Sequence, residues 1–344
     1  TAQAMTNSPL TVRSLVKWWA LRLRDDSEAG LRRWYADPEW PLLVVGSCLF
    51  LSFVLHWLGY RLAVHQIGWG SPLFEPTEWE GRTGWRKPMV FGISNAMIFV
   101  SMRQALRCQR LVPRSVVAHV AAWSTAVEVS IITLQAWRGV PSHFNKSTPL
   151  DASLYAIKLC GVSVLGVTCF LAAAGVVAQP VSANRVQLSA LRHGMALMCL
   201  AALVGFGQVV YGHAPRAPTT ADEYARCLAA TAGAVAGPCY EIHGKAIVKL
   251  AHFLPLHATE VLLLLTWAID HASVRDGHVL LHVAAAGCWS ISIIGLWQTF
   301  IGEDLRSPGL HVGVAVLFSL GCVPIAFLRV LFAPLSGGKH GHQH

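Results

Sequence analysis

Two carboxylates stand inside stretches that otherwise read as hydrocarbon: Glu128 within residues 116–137 and Glu260 within residues 250–270. A charged side chain near a bilayer centre costs about 2.5–3.5 kcal/mol on insertion scales unless it is paired or faces a cavity. An ionisable group kept there is therefore a candidate for proton chemistry. Ser124 and Thr125 precede Glu128 by four and three residues and Gln135 follows by seven, so all share one helical face. His257 precedes Glu260 by three and shares its face in the same way. Glu128 and Glu260 are accordingly the candidate catalytic or proton-relay pair. The competing structural reading is that these groups bond one another and lock a helix bundle.

Histidine is the second signal. The chain has 16, and about half fall in or near one half of the expected bilayer: His56, His65, His143, His213, His243, His252, His257 and His311. Neutral imidazole is the commonest metal ligand and titrates near physiological pH. His56, His252 and His257 are the candidate metal set, for a metal ion or a non-covalent haem, since no CxxCH attachment motif is present. His252 and His257 are five apart, which on a straight helix turns them to different neighbours. Pro255 between them removes a backbone bond and predicts a kink. His278 and His282 are four apart on one face, a spacing that suits one metal ion. The tail from Lys339 to His344 is also histidine-rich and reads as a flexible end.

The stretch 138–151 is the densest polar run between two apolar segments. Arg138, His143 and Asn145 are candidates for holding an anionic or quinone-like group there. The bland alternative is an interfacial turn anchored by Trp137 and Phe144, with Ser, Asn or Asp capping the next helix. Lys158, one turn into that helix, is expected to snorkel outward.

The elements that must position these groups follow from composition. Residues are 54% hydrophobic and only 13% charged, where a soluble domain carries about 25% charged. Such a chain cannot cover its surface with ions. Crossing the hydrocarbon core takes about 20 apolar residues. Segments near 41–64, 89–106, 116–137, 154–178, 193–212, 250–270, 278–302 and 312–335 meet that test. The predicted fold class is all-α, a polytopic bundle of about eight transmembrane helices over 41–335. Residues 1–40 predict a basic amphipathic segment on the membrane surface, 213–249 a long external loop, and 336–344 the flexible tail. Cys227 and Cys239 lie in that loop, where an oxidising compartment would permit a disulfide. No secretory signal peptide is evident in the first forty residues.

The net charge of +9 comes from basic residues flanking apolar spans, which fits lipid headgroups and topology control better than nucleic acid. Arg107, Arg110, Arg114, Arg185 and Arg192 fall on one side, which the positive-inside rule makes cytoplasmic along with both termini. GxGxxG after a strand, GxxxxGK[ST] and GxSxG are absent, so nucleotide-driven and soluble hydrolase chemistry is set aside. Lys87 and Phe91 recur as Lys249 and Phe253, and Gln135 and Gly139 recur as Gln298 and Gly302, an offset of about 162. Four helices per copy would give a parallel 4+4 repeat with a site near the repeat interface.

Three stretches carry a family likeness: Trp85 to Phe91 with Ser94; Gln135 to Gly139 with Ser142 to Asn145 and Thr148 to Asp151; and His252, Phe253, Leu256, His257 and Ala258. They resemble an uncharacterised family of bacterial multi-pass inner-membrane proteins. The resemblance implies a bacterial inner-membrane location and this choice of residues, without a reaction. Three functions remain open at this point. The first is a redox or cofactor-binding protein; the second is a proton-coupled transporter or channel; the third is an assembly subunit of a membrane complex. The expected partners are the lipid bilayer, other membrane subunits or a quinone, and no nucleic acid.

Overall fold

The computed structural model describes residues 37–64, 86–140, 142–143, 145–146, 148–181, 184–213, 241–242, 246–301 and 309–332. Among them the chain forms nine helices: α1 (Trp40–Val64), α2 (Arg86–Arg107), α3 (Arg114–Trp137), α4 (Pro149–Ala178), α5 (Arg185–His213), α6 (Val248–Leu256), α7 (Ala258–Ala272), α8 (Gly277–Ile301) and α9 (Leu310–Leu331). A two-residue antiparallel pairing, β1 (Glu241–Ile242) with β2 (Ala246–Ile247), precedes α6. The amphipathic segment before residue 37, Cys227, Cys239 and the histidine tail lie outside the described residues.

Seven helices, α1 to α5 with α8 and α9, are each long and apolar enough to cross a membrane. The segment expected as the sixth span is broken instead. α6 runs nine residues and α7 fifteen, with His257 between them out of helical geometry at φ −103, ψ 10. Pro255 supplies the cause, because it has no N–H to continue the ladder and its ring crowds the preceding turn. The bundle's rim is apolar: Leu55, Val116, Val167, Leu317, Phe318 and Leu331 are all exposed. In water that surface would be a large unburied patch, whereas lipid tails cover it at no cost.

Two cores hold the helices together. One is built from α1 to α5, with Leu42, Phe99, Met102, Leu106 and Met195 buried. The other joins α5 to α7, α8 and α9 through Leu197, Leu262, Leu265, Leu281 and Ala326. α5 contributes to both. The packing order is the same on the two sides. α1 packs on α2 and α3, and α3 on α4; likewise α5 packs on α6, α7 and α8, and α8 on α9. α2 and α6 begin at 86 and 248, α3 and α8 at 114 and 277, α4 and α9 at 149 and 310. The halves meet where α2 and α4 face α5 and α7.

Ends are fixed by polar chemistry. Thr148 caps α4, accepting from the Asp151 N–H at 3.1 Å and donating to Asp151 Oδ2 at 2.7 Å, with Pro149 opening the helix. At the other end of the bundle the α2–α3 and α4–α5 turns exchange backbone bonds, Arg110 N–H to Gln179 O and Val181 N–H to Cys108 O. Asp37 and Glu39, just before α1, are clamped there by Arg103 and Arg107 of α2 and Arg114 of α3, at 2.5 to 3.2 Å. Burial alone would raise the Asp37 carboxyl. Its hydrogen bonds with Glu39 and the Arg103 guanidinium outweigh that and hold it below the usual carboxylate range.

Candidate functional site

The break at His257 sits against α2, at the meeting of the two halves. Ser94 and Ser101 are seven residues apart, hence on one face of α2, and that face is turned to the break. The Ser94 hydroxyl lies 2.7 Å from His257 Nε2. The Ser101 hydroxyl donates to Glu260 Oε1 at 2.9 Å. His257 Nδ1 and Glu260 Oε2 then face each other at 3.6 Å, and both atoms are buried without a hydrogen-bond partner among the described residues. Four side chains thus form one line, Ser94, His257, Glu260, Ser101, with a gap at its centre. Leaving a buried donor or acceptor unmet costs about 1–3 kcal/mol, so a rigid structural lock would close that gap. The Cys169 thiol of α4 is within electrostatic reach of Glu260 and of Cys199 on α5.

Glycine makes the approach of α7 possible. A Cβ on Gly194 of α5 would fall 2.5 Å from the Thr259 Cα, inside any real contact distance. Thr259 is fully buried and its hydroxyl has no hydrogen-bond partner among the described residues.

Glu128 does not join this line. It is 3% exposed, and the charge it meets is Lys158 of α4. Lys158 is the correction here: rather than snorkelling outward it is 3% exposed, with its ammonium donating to the Ser142 carbonyl at 3.1 Å and lying 4.9 Å from the Tyr155 ring centre. The reason is steric and electrostatic. Gly161 lets α4 come close enough that a Cβ there would touch the Ser124 carbonyl and Glu128 Cβ, and Glu128 lies within electrostatic reach of the ammonium. Glu128 and Glu260 therefore belong to two centres, one between α3 and α4 and one between the halves.

The other expected residues divide similarly. His252 bonds the Ala201 carbonyl of α5 through Nδ1 at 2.7 Å, whereas His257 bonds Ser94 of α2, so the two imidazoles are turned to different helices. His56 is elsewhere, between the Ser52 carbonyl at 2.7 Å and the Trp137 indole N–H at 3.1 Å. Among the described residues no group of three His, Cys, Asp or Glu side chains is arranged to hold a metal ion. Arg138 pairs with Asp151 at 2.7 Å and also bonds Gln135, while Gln135 donates to Asp151 at 3.0 Å. His143 bonds Ser142 and packs on Phe91, one turn along α2 from Ser94. Asn145 is also buried. That loop therefore covers the end of α2 that leads to the break.

Ser101, Thr259 and Lys158 as a buried partner were not found from sequence, and Ser94 entered only through the likeness. The available signal was the seven-residue spacing of two hydroxyls on an apolar helix. Comparison with protein-family models, with curated proteins and with solved structures gives no match to this chain.

Proposed function

We propose that the protein is a proton-coupled secondary transporter, in which His257 and Glu260 carry the proton at a helix break between two four-helix halves. The observation that carries this reading is the pair of buried, unmet atoms 3.6 Å apart, Nδ1 of His257 and Oε2 of Glu260, each tethered at its far side to a hydroxyl of α2. A proton arriving at Nε2 from the Ser94 side releases the one on Nδ1 to Glu260. Protonation makes the pair attract or part, and the break at Pro255 gives the segment freedom to follow. Broken helices at the interface of repeats are where transporters hold coupling ions. Arg138, His143 and Asn145 form the outer approach, and the arginine-rich end of α2, α3 and α5 faces the cytoplasm of a bacterial inner membrane.

The test is flux in proteoliposomes holding a pH-sensitive dye, under an imposed potential, with and without the small-solute fraction of a cell lysate. Wild type should carry protons above empty liposomes, and Glu260→Gln should stop it. Wild-type vesicles indistinguishable from empty ones under both conditions would end the proposal.

A second reading has one observation in its favour: the order Ser94 Oγ, His257, Glu260 is also that of an acyl-transfer triad. A fluorophosphonate probe separates the two. Covalent labelling that disappears in Ser94→Ala would favour the hydrolytic reading over transport.

A further inference from the structure

Away from that centre, three imidazoles gather on the α5–α8 face. His278 is the second residue of α8 and His282 lies one turn further on, both exposed, while His193 of α5 is half-buried. Four residues separate His278 from His282, so both rings leave the same helical face. Their ring centres are 4.3 Å apart, whereas their Nε2 atoms are only 3.1 Å apart. The two rings therefore lean together at the Nε2 end. His282 Nδ1 lies 3.3 Å from His193 Nε2, and the Trp289 indole N–H donates to His193 Nδ1 at 3.3 Å. The Ser189 hydroxyl is 3.4 Å from His278 Nε2.

With no ligand bound, one N–H must lie between the two Nε2 atoms. An indole N–H can only donate, so neutral His193 accepts at Nδ1 and carries its proton on Nε2. His282 then carries its own on Nε2, pointing at His278 Nε2. Neither exposed ring needs the other for this, since water could serve both. The spacing is, however, that of two ligands on one metal ion. With metal–nitrogen bonds of about 2.0–2.1 Å, a 3.1 Å separation encloses roughly 100° at the ion, between the octahedral and tetrahedral angles.

We propose that His278 and His282 chelate one divalent transition-metal ion of the copper, nickel or zinc type through Nε2. His193 is the acceptor that orients His282, and water completes the coordination. Imidazole nitrogen suits these ions, whereas magnesium and calcium take oxygen. The incoming ion displaces the His282 Nε2 proton to solvent. His282 takes the His193 Nε2 proton on Nδ1, and His193 regains one from solvent on Nδ1. Three neutral rings hold three protons before and after, and the Trp289 N–H loses its acceptor. A ligating imidazole ordinarily donates its second N–H to a fixed acceptor, the part His193 plays here. Only two protein donors converge, in keeping with the lack of any three-residue metal group among the described residues. The site does not depend on the transport reading, because the His257–Glu260 line takes no part in it.

Zinc binding to the full chain in nanodiscs tests this at about pH 8, above the ordinary imidazole range. Equilibrium dialysis should give wild type one equivalent more than His278→Ala or His282→Ala, and both positions are exposed, so the variants should fold. His340→Ala, His342→Ala and His344→Ala together should keep that equivalent, which separates the site from the histidine-rich tail. His193→Phe should weaken it by about 10–100-fold, the effect of removing an outer partner. His193→Gln, whose carbonyl can accept the same N–H, should restore part of that loss. Equal zinc in wild type and both α8 variants, or loss of the equivalent in the tail variant, overturns the proposal. Side-chain nitrogen NMR of wild type gives an independent reading. Zinc should shift Nε2 of His278 and His282 and place the His282 proton on Nδ1. Coordination through Nδ1, or two rings left unshifted, would overturn the site as well.

Discussion

The same residue type does opposite work at two places in this chain. Glu128 is buried with the Lys158 ammonium within electrostatic reach across a close α3–α4 contact, whereas Glu260 has one oxygen bonded to Ser101 and one left 3.6 Å from an imidazole. The first arrangement is a lock and the second has room to change. Removing one member of a buried pair strands the other, at roughly 3–5 kcal/mol. Lys158→Met should therefore lower the melting temperature in detergent strongly, and adding Glu128→Gln should recover most of the loss. Additive losses in the double variant would mean that the two side chains are not energetically coupled. Gly194→Ala forces a Cβ onto the α7 backbone and should destabilise by about 1–3 kcal/mol, as overpacking does. Unchanged thermal unfolding would show that α5 and α7 can separate freely.

At the scale of the helix, the decisive element is the α6–α7 break. Helical hydrogen bonding is interrupted at Pro255 and resumes at Ala258, leaving His257 out of register with both halves. An interior proline costs a helix about 3 kcal/mol. Pro255→Ala should raise the melting temperature while slowing proton flux, since a continuous helix turns His257 away from Ser94. A variant that is both more stable and equally active would mean the break is incidental to transport. By contrast, α4 is made firm at its start by Thr148 and Asp151, which also receive Arg138 and Gln135. One element is pinned and the other is interrupted, and the polar line lies on the interrupted one.

For the whole molecule, the Asp37 and Glu39 clamp ties α1 to α2 and α3 at the arginine-rich end. Asp37 titrates below the usual carboxylate range in the folded state. Its contribution is thus fully present above the ordinary carboxylate pKa and is lost as pH falls through the lowered one. Asp37→Asn should cost on the order of 2 kcal/mol at neutral pH, the scale of a hydrogen bond to a charged group. The gap between variant and wild type should close as the pH is taken below the carboxylate range. A gap that stays constant into strong acid would show that the clamp acts through shape and not charge.

What the sequence by itself determined is the membrane bundle. Too few charges and eight apolar stretches leave no other way to satisfy backbone and surface together, and Pro255 announces an interruption because its chemistry is local. The partnership of residues was decided only by tertiary structure. Nothing in residues 158 or 128 states that α4 approaches α3 at Gly161, so Lys158 reads as a snorkelling cation until that contact exists. Ser94 and Ser101 are ordinary hydroxyls on an apolar helix, and His193 and His282 lie 89 residues apart. Hydrophobicity and propensity act along the chain and fix which segments are helices. Lipid solvates every apolar face alike, so the choice of neighbours falls to small residues and unmet polar atoms, which only the packed molecule brings together.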